Sequence, residues 1–224
     1  MLRALGVAFL VSLSAGAAMA AEPADVALAR TAEVMAKAEI IEALVGMGAV
    51  DSEFRIRLLD ARKDATPEQR AALDKALDAP LRAMDEAHER RLQAIFDAQP
   101  GWFPISVYGD RAPGAAMTIV NHSSNMVFRK EALRRMEPLV GTGELTGGYA
   151  NVYDRTAVMD GRLQRYGTQD AACVNGTYAN PTNVEDPANL EVRRAQLKLP
   201  PMEDYLAQLS QSYGRCDGKP GGRS

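Results

Sequence analysis

Apolar side chains recur at three- and four-residue intervals along most of the chain, the spacing that lines one face of an α-helix. From Pro23 to Val50 the stripe is Val34, Ala38, Ile41 and Val45, with Val26 on the same face two turns earlier. Arg30 interrupts this stripe and Lys37 sits at its edge, so the face is cleaner in its second half. Phe54 and Leu58 predict a second, short helix from Glu53 to about Arg62. "TPEQ" at 66–69 combines an N-cap threonine, a proline at the first helical position and a glutamine three residues after the cap, the pattern of a capping box. Leu73 and Leu77 carry that helix to Pro80, where the missing N–H predicts a kink or restart. Leu81, Met84, His88, Leu92 and Ile95 form the next stripe, and His88 on it reads as a packed or half-buried histidine.

"PGWFPISVYGDRAPG" holds too much proline and glycine for regular helix throughout. A helix is predicted to start near Ala112–Gly114 and to run through "AAMTIVNHSSNMVFRKEALRRM", with "GTGELTGG" as the connector that follows. Tyr149 to Met159 reads as a short helix closed by Asp160-Gly161. "NG" at 175 and 176, flanked by Cys173, Val174, Thr177 and Tyr178, is the strongest hairpin signal present. Asp186-Pro187 opens another helix, Pro200-Pro201 stops it, and "MEDYLAQLSQSY" starts the last. The expected fold is therefore mainly α, a helical bundle-like domain with one small β-hairpin near residues 169–180.

The first twenty residues read differently. A short positive start, an apolar stretch below the ~20 residues needed to span a bilayer, and Ala18-Met19-Ala20 make a signal peptide cleaved between Ala20 and Ala21. The protein is expected to be periplasmic or secreted, with no integral membrane segment after cleavage. The expected organisation is a signal peptide at 1–20, an N-terminal helical extension at 21–84, an α-helical domain with hairpin at 85–214, and a loose tail at 215–224. A formal net charge of −3 argues against a nucleic-acid partner or an anionic membrane surface, since both need a basic footprint. The two cysteines, Cys173 and Cys216, are expected to pair in an oxidising compartment, stabilising by roughly 3–4 kcal/mol through loop entropy. The alternative is two unrelated thiols.

Familiar chemical motifs are missing. Two histidines and two cysteines never stand at zinc-ligand spacing, and no HExxH, CxxC, Walker pattern or G-x-S-x-G elbow occurs, so no metal and no cofactor is predicted. What remains is a set of polar groups in the C-terminal half. His122 has Ile119 and Met126 about one turn before and after it, and Asn125 and Arg129 on the other flank. Asp154 and Arg155 are adjacent, pointing about 100° apart on a helix. Gln164, Tyr166, Thr168 and Gln169 crowd hydrogen-bonding groups around Gly167. Trp102 is expected as an aromatic wall. Each has a structural alternative: surface ion pairing for Asp154 and Arg155, and a turn with Gly167 at positive φ for "RYGTQ". Together they are read as a pocket, with His122 and Asp154 as candidate catalytic residues and Trp102, Arg155, Gln164, Tyr166, Thr168 and Gln169 as candidate ligand contacts.

The same residues carry a resemblance. "GW-P", the glycine of "VYGD", "IVNH", "YDR", "G-L-QRYGTQ" and paired arginines before "LPPMEDYL" resemble an uncharacterised bacterial domain family, over roughly Asp85 to Tyr205. The resemblance implies signature positions at Trp102, Gly109, His122, Asp154, Arg155, Gly161, Gln164, Tyr166, Gly167, Thr168, Gln169, Arg193 and Arg194. This chain inserts Phe103 between tryptophan and proline, and has "HSSN" where relatives commonly have "HAD", so the acidic neighbour of the histidine is missing. The resemblance implies no reaction.

Three functions of different class follow. The first is an exported binding module for an uncharged polar ligand or cell-envelope component, as a pocket rich in Gln, Asn, Tyr and Trp would serve. The second is a hydrolase- or lyase-like enzyme with His122 as general base, Asp154 orienting it, and Arg155 or Tyr166 stabilising negative charge. The third is a structural envelope scaffold.

Overall fold

The structure, a computed structural model, describes residues 23–216. The expected signal peptide and the tail beyond Cys216 lie outside the described residues. Two units divide the chain after Ala36. The described part of the first, residues 23–36, is the beginning of α1 (Ala24–Lys63), where Val26, Leu28, Val34 and Met35 are largely exposed.

In the second unit α1 continues and is followed by α2 (Pro67–Ala98), α3 (Ile105–Tyr108), α4 (Arg111–His122), α5 (Met126–Met136) and α6 (Gly148–Met159). A hairpin of β1 (Ala172–Val174) and β2 (Thr177–Ala179) precedes α7 (Leu190–Gln196) and α8 (Met202–Tyr213). The fold is mainly α with one small antiparallel hairpin, as the periodicity predicts. Asn175 and Gly176 make its turn with φ of 53° and 81°, the pair of positive φ values that "NG" accommodates. Thr66 caps α2 as predicted: its hydroxyl accepts from the Gln69 amide while the Gln69 side chain accepts from the Thr66 amide.

Three boundaries differ from expectation. α1 runs unbroken through Asp51 and Ser52. Pro80 lies inside α2, so the helix does not restart there. The long helix expected from Ala112 to Met136 is two helices, because Asn125 turns its side chain to accept from the Val127 and Phe128 amides and so caps α5. The "HSSN" segment is thus a helix junction, and His122 occupies the last turn of α4.

The core assembles around α4, which buries Ala112, Ala116, Met117, Ile119 and Val120. Leu44 and Met47 of α1, Leu92 and Phe96 of α2, and Phe128, Ala132 and Met136 of α5 join it, with Tyr149 and Val152 from α6. The expected boundary at residue 85 falls within α2, and the core takes side chains from both sides of it. α1 meets α4 at Gly48, where a Cβ would stand 2.6 Å from that of Ala115, so only glycine permits this approach. Arg129 is fully buried and donates to the carbonyls of Val120, Asn121 and Ser123 at the end of α4, which fixes the backbone on either side of His122. Cys173 and Cys216 are disulfide-bonded, tying the hairpin to the segment after α8. Among the described residues, no helix is long and apolar enough to cross a membrane.

Candidate functional site

The polar residues singled out in the sequence separate into two groups. The first is built on Asp154, which is fully buried in α6. Its carboxylate accepts the backbone N–H groups of Arg165 (2.7 Å), Tyr166 (3.1 Å) and Thr168 (2.9 Å), and the Thr168 hydroxyl (2.9 Å). The carbonyls of the same loop are held from the other side. Arg193 donates to that of Arg165, Arg194 to that of Tyr166 and the Tyr205 hydroxyl to that of Thr168. The buried Gln164 side chain accepts from the Gln169 amide and donates to the Gln169 carbonyl, closing the loop on itself. Gly167 has φ of +69°, and Met202, Leu190 and Pro181 surround the place a side chain would fill.

Backbone groups that cannot pair within a helix or sheet need partners when buried, and the polar signature supplies them. The dense hydrogen-bonding groups of "QRYGTQ" are thereby engaged inside the protein. Tyr166 is buried edge-on against Tyr149 and Tyr153. Arg155, the neighbour of Asp154, is half-buried on α6. Burial pushes the Asp154 carboxyl above its ordinary pKa, against the pull of the donors from Thr168, Arg165 and Tyr166. Trp102 is expected as a pocket wall but sits in the core, 4% exposed, in ring contact with Phe96 and Phe103. Its apolar face is worth more against those rings than against solvent.

The second group surrounds His122. Its expected partner was Asp154, but that carboxylate is occupied by the loop amides, and the acid beside His122 is Asp51. Nδ1 of His122 lies 2.9 Å from Oδ2 of Asp51, a close polar contact without the alignment of a full hydrogen bond. Asp51 belongs to the buried face of α1, in register with Leu44, Met47 and Gly48. Arg55, one turn on, reaches both Asp51 (3.1 Å) and Asp85 of α2 (2.5 Å). The next residues of α2 approach the junction that follows the histidine: Glu89 accepts from the Ser123 hydroxyl and the Asn125 side chain. His88 stands between Asp85 and Glu89 in sequence, half-buried, with Nδ1 buried and unpartnered. The two histidines of the chain thus both face the Asp51–Asp85 cluster.

The electrostatics follow from these contacts. Burial opposes the Asp51 charge, but His122 and Arg55 outweigh it and hold the carboxyl below its usual value. Asp85 is raised, since burial and the Asp51 charge exceed the help from Arg55. His88 is lowered, chiefly by burial, with Arg55 and Arg91 adding to the effect and Asp51 and Asp85 opposing it. The side chain of His122 retains 20% exposure, its Nδ1 is buried, and Nε2 is not among the buried atoms without a partner. Thr118 and Ser52, one turn from His122 and Arg55, line a shallow groove between α4 and α1. That groove shares Val45 and Arg111 with a larger one of about 490 Å³, walled by Ile41, Val45, Tyr108 and Ala112. Among the described residues no three His, Cys, Asp or Glu side chains are arranged to hold a metal ion.

Asp51, Arg55 and Asp85 were missed in the sequence. The available signal was an acid in register with the apolar face of α1, hidden by the break expected between Val50 and Glu53.

The chain is, in class, a mainly α-helical domain with an aspartate-anchored loop and a separate histidine–carboxylate cluster. Residues 38–216 match the family of unknown function DUF6624, and the chain belongs to that family. The match begins within α1 and so takes in all of α2, whereas the resemblance begins near Asp85. No curated protein and no solved structure matches the chain.

Proposed function

We propose that the protein is a hydrolase-like enzyme acting on an uncharged substrate, with His122 as general base and Asp51 as the group that orients it. The contact of Asp51 with Nδ1 carries this reading, because it leaves Nε2 as the nitrogen to take the proton. In the reaction, Nε2 takes a proton from water and the hydroxide oxygen bonds to the substrate carbonyl carbon as the C=O pair moves to oxygen. Collapse re-forms C=O and breaks the bond to the leaving oxygen or nitrogen, which receives the proton from Nε2. Asp51 faces the ring with negative charge while it carries the proton. Asp51, Asp85 and Glu89 stand around the site and Arg55 is engaged by two of them, which disfavours an anionic substrate.

p-Nitrophenyl acetate, an uncharged ester, serves as the probe. Wild type is expected to outpace an equal concentration of imidazole, with His122→Gln slower by about 10²–10⁴-fold and Asp51→Asn reduced as well. A His122→Gln protein as fast as wild type overturns the reading. The groove of about 490 Å³ favours a second one, a module that binds an uncharged polar ligand or envelope component without turnover. Export is part of the proposal: it rests on the leader pattern of residues 1–20, and the Cys173–Cys216 bridge supports it.

A further inference from the structure

The site as described supplies a base and its orienting carboxylate but nothing to receive the negative charge that forms on the substrate oxygen. Arg55 is held by Asp51 and Asp85. Arg129 is fully buried against the end of α4, and Arg165 pairs with Glu185 on the other side of the molecule's polar network. The hydroxyl of Ser123 donates to Glu89, and that of Thr118 to the Gly114 carbonyl. His88 keeps hydrogen-bonding capacity unspent at the cluster, its Nδ1 standing without a partner as does Oδ1 of Asn121.

We infer that His88 is the oxyanion donor of this site, presenting a neutral ring with its proton on Nε2 to the carbonyl oxygen of the substrate whose carbon is attacked beside His122. This rests on the reading of His122 as the base. Three observations carry it. His88 is placed by the same stretch of α2 that holds the site together: Asp85 one turn before it binds Arg55, and Glu89 next to it binds Ser123 and Asn125 of the α4–α5 junction that follows His122. Its Nδ1 is buried without a partner. A buried N–H with no acceptor is costlier and rarer than a buried lone pair with no donor, so the proton belongs on the other nitrogen. Nε2, by contrast, is neither buried without a partner nor engaged in a hydrogen bond, which leaves it open to a ligand.

The charged groups that act on His88 are Asp51 and Arg55 from α1 and Asp85 and Arg91 from its own helix. Burial with Arg55 and Arg91 keeps the ring neutral against the two aspartates. A neutral imidazole gives up no proton as it donates to the oxyanion, so His122 alone carries the proton from water to the leaving group. An N–H donor also suits an uncharged ester or amide carbonyl in a cluster where carboxylates predominate.

The chain's two histidines make the test direct, because an untagged protein shows two imidazole spin systems. Long-range ¹H–¹⁵N correlation spectra at neutral pH are expected to show His88 as the Nε2–H tautomer, assigned by its loss in His88→Gln. The Nδ1–H tautomer, or an imidazolium, overturns the inference whatever the activity. With p-nitrophenyl acetate, His88→Leu is expected to lose about 10²–10³-fold in kcat, the range for one oxyanion donor, with the His122 limb of the pH–rate profile in place. His88→Gln, which keeps an N–H, is expected to recover part of the loss. A folded His88→Leu protein with the wild-type rate, while His122→Gln is inactive, removes His88 from the site and leaves the His122 reading standing. Full activity of His122→Gln removes both.

Discussion

Replacing Asp154 by alanine tests whether the aspartate-anchored loop is architecture. The substitution withdraws the acceptor from three backbone amides and one hydroxyl. The Thr168 hydroxyl has a second acceptor in the Ala150 carbonyl at 3.4 Å, and Arg165 is half-exposed, so its amide reaches water. The amides of Tyr166 and Thr168 belong to buried residues and are orphaned. At ~1–3 kcal/mol for each buried group left unpaired, the pair gives roughly 2–6 kcal/mol. Relief of a buried carboxyl offsets part of this, leaving a net loss of about 2–4 kcal/mol against a typical total near 5–15. Urea unfolding should show the midpoint falling with the m-value unchanged. Native-state hydrogen exchange should show the Tyr166 and Thr168 amides losing protection before those of α4. Asp154→Asn keeps one acceptor oxygen and should fall between. A loss below ~1 kcal/mol for Asp154→Ala, outside the range for buried groups left unpaired, refutes the reasoning and returns the carboxylate to the list of functional groups.

Two further predictions follow from the α1 side. Gly48→Ala places a methyl 2.6 Å from the Ala115 Cβ and 3.1 Å from its Cα, so the helices must part, at about 1–3 kcal/mol; calorimetry should show Ala115→Gly restoring part of the loss in the double variant. His88 and Asp51 both have folded pKa values below their ordinary ones of 6.5 and 3.8, so the unfolded chain binds more protons as pH falls. Their contributions are therefore present above those ordinary values and lost as pH drops through the lowered ones. Denaturation across pH should show wild type losing stability on acidification below 6.5 in a step that His88→Gln lacks, and a later one below 3.8 that Asp51→Asn lacks.

How much of this was legible in the chain depends on the range of the forces involved. Helix periodicity, the capping box at Thr66, and the "NG" hairpin are set by neighbours a few residues apart, and the chain alone determined them. It also marked "QRYGTQ" as unusual, because six residues with so many hydrogen-bonding groups around one glycine are visible without a fold. Whether those groups faced a ligand or the protein's own backbone was decided only by where Asp154, Arg193, Arg194 and Tyr205 arrived. The Asn125 cap divided a continuous apolar pattern into α4 and α5, a local competition that periodicity does not register. The partner of His122 was furthest from view. Asp51 precedes it by seventy-one positions on a helix whose register had to pass unbroken through Val50, and Gly48 had to let that helix approach Ala115. A polar contact across such a separation has no signature in local spacing, since its energy exists only once the apolar faces of α1, α2 and α4 have packed and excluded water from the carboxylate.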